Sequence, residues 1–169
     1  MAWRWANNTA LTEEDKKEVT DLFNAEMVGK WMPFTPPERV RGVWAAIVEA
    51  TEAGRLGHKA KVATDHRPGK DVLICVYTKD HRDIDDVARV LAELRAMGID
   101  QRLSYKEDAA TSALHYGGGA ALYVAKPGST VFERRREAYT SDDSRLGVPV
   151  ARTVEQVFAR PELYGPFPD

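Results

Sequence analysis

The chain of 169 residues is long enough to bury a hydrophobic core and short enough to form one domain. Hydrophobic residues make up 43% and charged residues 30%, which is typical of globular proteins, and no apolar run approaches the ~20 residues that span a bilayer. The formal net charge of -2 gives no reason to expect a nucleic acid as partner, because nucleic-acid-binding proteins carry a basic excess. The N-terminus lacks the apolar segment of a secretory signal, and the single cysteine, Cys75, cannot form an internal disulfide. We therefore expect a cytoplasmic protein with no membrane partner.

The first part of the chain predicts an N-terminal arm followed by helices and short strands. Thr12 precedes three acidic residues, which is an N-cap pattern, and the apolar spacing that follows predicts a helix over residues 12–27. Two prolines before Glu38 open a second helix, over residues 38–53, and its apolar stripe predicts that Trp44 is a core residue. The other predicted segments are an arm with Trp3 and Trp5 over residues 1–11, and strands over residues 30–34 and 59–64.

The stretch from residue 72 to residue 127 has the clearest pattern in the chain. Residues 72–78 are almost wholly apolar, which predicts a central strand covered on both faces. Asp83 is a candidate N-cap for a helix over residues 83–97, and Gly98 is placed to end it. Further predictions are strands around residues 103–106 and 120–125, a solvated helix end at residues 134–136, and a last short helix over residues 153–158.

This order of elements predicts an α+β fold, with a curved, mainly antiparallel sheet and helices packed on one face. The opposite face of the sheet is then free to hold a ligand. We expect a single domain over residues 1–169, made of the arm, a core over residues 12–127 and a C-terminal extension over residues 128–169.

Several runs of sequence resemble an uncharacterised family, the basophilic-leukaemia-expressed proteins. They are GKWMPF, VWAAIVEAT, GRLGHKAKVAT, VLICVYTKD and YKEDAAT, and the resemblance covers roughly residues 29–125. It implies a fold like that of the cap-binding translation initiation factor. Cap binding itself is not implied, because a base sandwich needs two aromatic faces and the corresponding loops, residues 35–38 and 55–59, contain no aromatic residue.

The segment from residue 72 to residue 127 is also similar, more distantly, to the phosphothreonine lyases of bacterial effectors and class III lanthipeptide synthetases. This similarity places Lys106 on the lyases' base and the HYGGG run on their Tyr/Gly loop. The lyases' Lys-x-His pair falls on Ile74 and Val76, and a shifted register places Lys59 and Lys61 there instead.

Elimination of phosphate from phosphothreonine or phosphoserine needs a base, an acid and cations that hold the phosphate. The resemblance implies Lys106 as the base, and His115 or Tyr116 is the expected proton donor. Lys59 and Lys61 share one face of their strand and are candidate phosphate ligands. Backbone N–H groups approach an anion most closely at glycines, which adds Gly117, Gly118 and Gly119. Lys61, Lys106 and Tyr116 are predicted to line one cavity, from neighbouring strands, opposite the helices.

Two classes of function remain open. One is a carbon–oxygen lyase that acts on the phosphate ester of a phosphorylated peptide or small phosphate-bearing ligand. The other is a non-catalytic ligand- or protein-binding module, in which Lys106 is a solvated strand-end lysine, Lys59 and Lys61 are an exposed strand face, and residues 115–119 form a mobile turn. Neither metal-ligand spacing nor a nucleotide-binding glycine motif is present, so no metal or cofactor is predicted.

Overall fold

The computed structural model describes residues 2–65, 67–108 and 121–135. Within these ranges the chain forms three helices and an open, eight-stranded antiparallel sheet. The helices are α1 (Glu13–Asn24), α2 (Pro37–Glu52) and α3 (Ile84–Ala96). The strands are β1 (Trp3–Asn7), β2 (Gly29–Trp31), β3 (Phe34–Thr35), β4 (Lys59–Ala63), β5 (Val72–Thr78), β6 (Leu103–Glu107), β7 (Tyr123–Ala125) and β8 (Glu133–Arg134). The sheet order is β1-β4-β5-β2-β6-β7-β8, with β3 paired to β5, and the predicted α+β class is confirmed.

Helix α1 begins as its sequence predicts and ends three residues early. The Thr12 hydroxyl accepts a hydrogen bond from the Asp15 backbone N–H, and the Asp15 carboxylate accepts one from the Thr12 backbone N–H. These two backbone N–H groups have no partner within the helix, and this capping box satisfies both of them. The predicted end at residue 27 is wrong, because Glu26 has a φ of 65°, in the left-handed region that does not continue a helix. Met27 is fully buried beyond the helix.

Helices α2 and α3 pack on the same face of the sheet. In α3 the predicted apolar face is buried, with Asp83 as N-cap, and Gly98 follows the helix with a φ of 85°. In α2, Val40 and Ile47 are buried as the stripe predicts. The prediction that Trp44 is a core residue is wrong, because its side chain is only partly buried and packs at the margin of the core.

The core lies between these helices and the middle of the sheet. All seven residues of β5 are buried, and the strand pairs with β4 on one side and β2 on the other, so the predicted central strand is confirmed. Trp31 of β2 is fully buried, and its indole Nε1–H donates to the Val87 carbonyl of α3 at 3.1 Å. One hydrogen bond therefore fixes α3 against the sheet.

Four strands differ from the sequence-based expectations. The predicted arm contains β1, which pairs with β4 in register and forms one edge of the described sheet. The predicted strand at residues 30–34 is two short strands, β2 and β3, which pair with β5 in the same register and are separated by Met32 and Pro33. Glu133–Arg134 pairs with β7 as β8, so the solvated helix end predicted there is wrong at Arg134. The predicted helix over residues 153–158 lies outside the described residues.

Candidate functional site

The strands separate their side chains into two chemically different faces, because successive residues of a strand point to opposite sides. The helix face, which meets α2 and α3, carries Trp31 and Val76. On the opposite face a row of side chains crosses four strands, since Lys30 pairs with both Tyr77 and Lys106, and the register of β4 with β5 places Lys59 beside Tyr77. We call this opposite face the lysine face. Its residues are Trp3, Trp5, Lys30, Lys59, Lys61, Tyr77 and Lys106.

Lys106 lies on β6 with only 4% of its surface exposed, so the expectation of a solvated strand-end lysine is wrong. Its neighbour across the ladder is Lys30 of β2, which is 2% exposed. Sequence reasoning did not select Lys30. The sequence does contain a signal for it, because Lys30 is next to an aromatic residue, Trp31, just as Lys106 is next to Tyr105. In both strands the aromatic side chain is buried in the core, so the adjacent lysine points to the opposite face.

Lys30 forms a buried ion pair with the carboxylate that follows β6. Its Nζ lies 2.6 Å from Oδ1 of Asp108, whose side chain is 23% exposed. The Lys30 ammonium also lies 5.8 Å from the centre of the Tyr77 ring. This pair places one negative charge beside the row of lysines.

Lys59 and Lys61 are half-buried between aromatic rings. The Lys59 ammonium lies 4.9 Å from the Trp5 ring and 4.7 Å from the Tyr77 ring. The Lys61 ammonium lies 3.8 Å from the Trp3 ring and 5.3 Å from the Trp5 ring. Within the described ranges, no carboxylate lies within salt-bridge distance of either ammonium. The two cations are therefore held by cation–π contacts from β1 and β5.

Burial shifts the pKa values of four described groups in this region towards their neutral forms. It lowers the pKa of Lys59 and of Lys61, opposed by Asp108 at Lys59 and mainly by Cys75 at Lys61, and the nearby Lys30 lowers both further. Burial and then the Lys59 charge lower the pKa of His58 to about 4. Burial raises the pKa of Cys75 to about 11, so its thiol stays protonated at neutral pH.

The structure brings part of the predicted site together. Lys59, Lys61 and Lys106 share the lysine face, but Lys61 and Lys106 are not on neighbouring strands, because β5 and β2 lie between β4 and β6. Ile74 and Val76 point to the helix face, so only the shifted register, with Lys59 and Lys61, lies on the side of Lys106.

The remaining predicted residues, His115, Tyr116 and Gly117–119, lie outside the described residues. The cavity predicted between Lys61, Lys106 and Tyr116 therefore stays a prediction.

The lysine face has the chemistry of an anion site. Several ammonium groups lie on one surface, where partial burial strengthens their attraction for a negative group compared with water. Aromatic rings flank the two more accessible lysines and give apolar contact area beside the charge. The helix face offers no comparable arrangement, since its described strand side chains are largely apolar and buried.

The fold and the site together define an α+β protein whose open antiparallel sheet carries helices on one face and a group of lysines on the other. The family model described as basophilic leukemia-expressed protein Bles03 matches residues 6–113, which is more than half of the chain. The chain belongs to this family, and the resemblance found in the sequence is confirmed at that level. None of the helices in the described part of the chain is long and apolar enough to cross a membrane.

Proposed function

We propose that the lysine face binds the phosphate group of a phosphorylated peptide or of a small phosphate-bearing ligand. The observation that carries the proposal is the position of Lys59 and Lys61, which are half-buried with no described carboxylate within salt-bridge distance. Lys30, which is paired with Asp108, and Lys106 extend the same row, so the proposal rests on Lys59 and Lys61. A bound phosphate offsets the mutual repulsion of such cations and accepts several charge-assisted hydrogen bonds at once.

We also propose that the fold is related to the cap-binding initiation factor and, more distantly, to the phosphothreonine lyases. An antiparallel sheet with α2 and α3 on one face is consistent with both relationships. In each, the ligand is expected on the face away from the helices, which here is the lysine face.

Catalysis is a second candidate function, with elimination of phosphate from phosphothreonine or phosphoserine as the reaction. The observation that favours it is the environment of Lys106. Lys106, which the lyase resemblance places on the base, lies on the same face of the sheet as Lys59 and Lys61, so the base and the phosphate-binding cations required by elimination share one surface. Lys106 would remove the α-proton while Lys59 and Lys61 hold the departing phosphate.

The binding proposal is tested by NMR titration of amide shifts with inorganic phosphate and with O-phosphothreonine. We expect shifts centred on β2, β4 and β5, and none of this size with unphosphorylated threonine. The double variant Lys59→Gln and Lys61→Gln should weaken binding by about tenfold or more, because each lost charge-assisted hydrogen bond contributes roughly 1.5–3 kcal/mol.

A matched control keeps net charge the same as in that double variant. Lys16 and Lys17 lie on α1 with 57% and 77% of their side chains exposed, so Lys16→Gln and Lys17→Gln remove two charges away from the lysine face. This control should bind phosphate like the unchanged protein. Equal weakening in both double variants would overturn the proposal, since it would show a nonspecific effect of net charge.

The catalytic candidate is tested by mass spectrometry of phosphothreonine and phosphoserine peptides, read as loss of phosphoric acid. Lys106→Ala should abolish turnover, and Lys106→Arg should do the same because arginine stays protonated and cannot act as a base. Phosphate binding with no elimination across a broad set of peptides would favour the non-catalytic binding module.

A further inference from the structure

A cavity of about 300 Å³ lies at the margin of the helix face, between α2 and the strands β1 and β4. Its wall is apolar and is made mainly by Val40 and Trp44 of α2 and by Val62 of β4. Arg4 and Arg41 belong to the same lining, and both are exposed, so they lie at the opening. The cavity is therefore apolar inside and cationic where it meets solvent.

Trp44 is the largest apolar side chain that borders the cavity. Its place in the apolar stripe of α2 is typical of a core residue, yet the indole is only partly buried and has one side towards this open space. The atoms that line an unfilled apolar cavity lack contact partners, so an apolar group that enters gains those contacts. Because an apolar cavity of roughly 150 Å³ holds a benzene ring, this one has room for about eight carbon atoms.

The two arginines at the opening have no anionic partner in the described part of the chain. No carboxylate there lies within salt-bridge distance of Arg4 or Arg41, although Glu38 is one helical turn from Arg41 on α2. By contrast, the Arg82 guanidinium lies 2.6 Å from the Asp80 carboxylate. A guanidinium presents its N–H donors in a fork that matches the two oxygens of a carboxylate. The opening is therefore suited to a carboxylate that comes from outside the described chain.

We propose that this cavity binds a small amphipathic carboxylate, with its apolar chain inside the cavity and its carboxylate at the two arginines. The site is separate from the lysine face. Arg4 pairs with Val62 and alternates along β1 with Trp3 and Trp5, whose rings contact lysines on the other side of the sheet. The inference therefore goes beyond the proposed function and does not depend on it.

The test is NMR titration of the unchanged protein with octanoate, read at the indole N–H of Trp44 and at the backbone amide of Val40. The variant Trp44→Phe assigns the indole signal. We expect both signals to shift and to saturate. Acetate has the head group alone, and octylammonium has the chain with the opposite charge. Each should bind at least about tenfold more weakly than octanoate, because apolar burial and charge-assisted hydrogen bonds both contribute to affinity.

Paired variants test the role of the arginines. Arg4→Gln with Arg41→Gln should weaken octanoate binding about tenfold or more and leave the phosphate titration of the lysine face unchanged. The control is Arg55→Gln with Arg102→Gln, which removes the same charge from exposed residues that do not line the cavity. This control should bind octanoate like the unchanged protein. Equal weakening by the two double variants would overturn the inference, and so would equal binding of octanoate and octylammonium.

Two further outcomes assign the result to another surface or another occupant. Octanoate shifts confined to signals of the lysine face, with the Trp44 indole unmoved, would overturn the inference and leave the proposed function standing. A dimer that octanoate neither enters nor dissociates, measured by sedimentation, would assign the cavity to a second copy of the chain and would also overturn it.

Discussion

The two faces of this sheet are made by the same strands and obey different physical rules. On the helix face, Trp31 and Val76 are fully buried against other apolar groups. On the lysine face, the next residues along the same strands are Lys30 and Tyr77. Because successive side chains of a strand point to opposite sides of the sheet, the hydrophobic core and the group of ammonium ions are separated only by the backbone of the sheet.

Under the proposed function, the helix face serves stability and the lysine face serves binding. Apolar burial stabilises a fold by roughly 25 cal/mol for each Å² removed from water. Partly buried cations contribute little or oppose folding, because desolvation disfavours their charge. The proposed ligand gives this group of cations a role other than stabilising the fold.

The largest expected difference between the faces is in the free energy of unfolding after tryptophan truncation. Trp31→Ala removes a fully buried indole, its hydrogen bond to Val87 and its edge contact with Tyr105, so we expect a loss of about 3–5 kcal/mol. The control is Trp5→Ala on the lysine face, where 47% exposure limits the expected loss to about 1 kcal/mol. Urea titrations measure both. Equal losses would contradict the assignment of stability to the helix face.

The second prediction concerns His58 and the loss of stability when its ring must accept a proton at low pH. The His58 ring lies 5.8 Å from that of Tyr77, and its Nδ1 is buried with no hydrogen-bond partner among the residues that the structure describes. Its pKa is lowered to about 4, from 6.5 in the unfolded chain. As the pH falls below 6.5, the unfolded chain therefore binds a proton that the folded protein excludes. The stability that this group contributes is complete above pH 6.5 and is lost as the pH falls towards 4.

The loss should reach about 2–3 kcal/mol by pH 4. Urea titrations between pH 7.5 and pH 4 should show this loss, and the variant His58→Gln should show a shallower dependence over the same range. Other groups titrate in both proteins, so the difference between the two curves isolates the imidazole. Parallel curves would mean that His58 accepts a proton in the folded protein.

The sequence predicted the elements whose signal is local. The apolar run of β5 and the stripe of α3 need only their own residues to be recognised, and both are confirmed. The position of β2 depends on pairing with β5 and β6, which are far away in the chain. A strand of three residues carries too little periodicity to indicate those partners.

The candidate site also has features that local sequence predicts and features that depend on strand pairing. Lys59 and Lys61 were placed on one face because a strand alternates. The separation of Lys61 from Lys106, and the presence of Lys30 between them, follow from the insertion of β2 between β5 and β6. Only the tertiary pairing supplies that information. The outward position of Lys106 was predictable, whereas its burial was not.

A smaller effect is expected where a helix meets the sheet edge. Trp44 of α2 is partly buried and lines an apolar cavity of about 300 Å³ with Arg4 and Val62. Because the indole already meets this open space, Trp44→Ala should lower the free energy of unfolding by about 1–2 kcal/mol, less than Trp31→Ala. A urea titration that gives about 4 kcal/mol would show that Trp44 belongs to the closed core.

The smallest expected change in the free energy of unfolding is that of Lys61→Met on the lysine face. Whether this variant gains or loses stability distinguishes a binding role from a structural one. In the folded protein the pKa of Lys61 is lowered, so below the unfolded pKa its charge opposes folding. Lys61→Met removes that charge and keeps a flexible side chain against the rings of Trp3 and Trp5. The lost cation–π contacts offset part of the gain, since they contribute about 0.5–1 kcal/mol each at exposed sites. The free energy of unfolding should therefore stay within about 1 kcal/mol of the original value, unchanged or raised.

Phosphate binding by the same variant should fall, so that stability and binding separate at one residue. The matched change on α1 is Lys17→Met, which loses an exposed ion pair with Asp21 and should alter neither property appreciably. Urea titration and phosphate titration on the three proteins give the comparison. A fall in stability of several kcal/mol for Lys61→Met would mean that the cation holds β1 to β4, and the lysine face would then be a structural ladder of rings and ammonium groups.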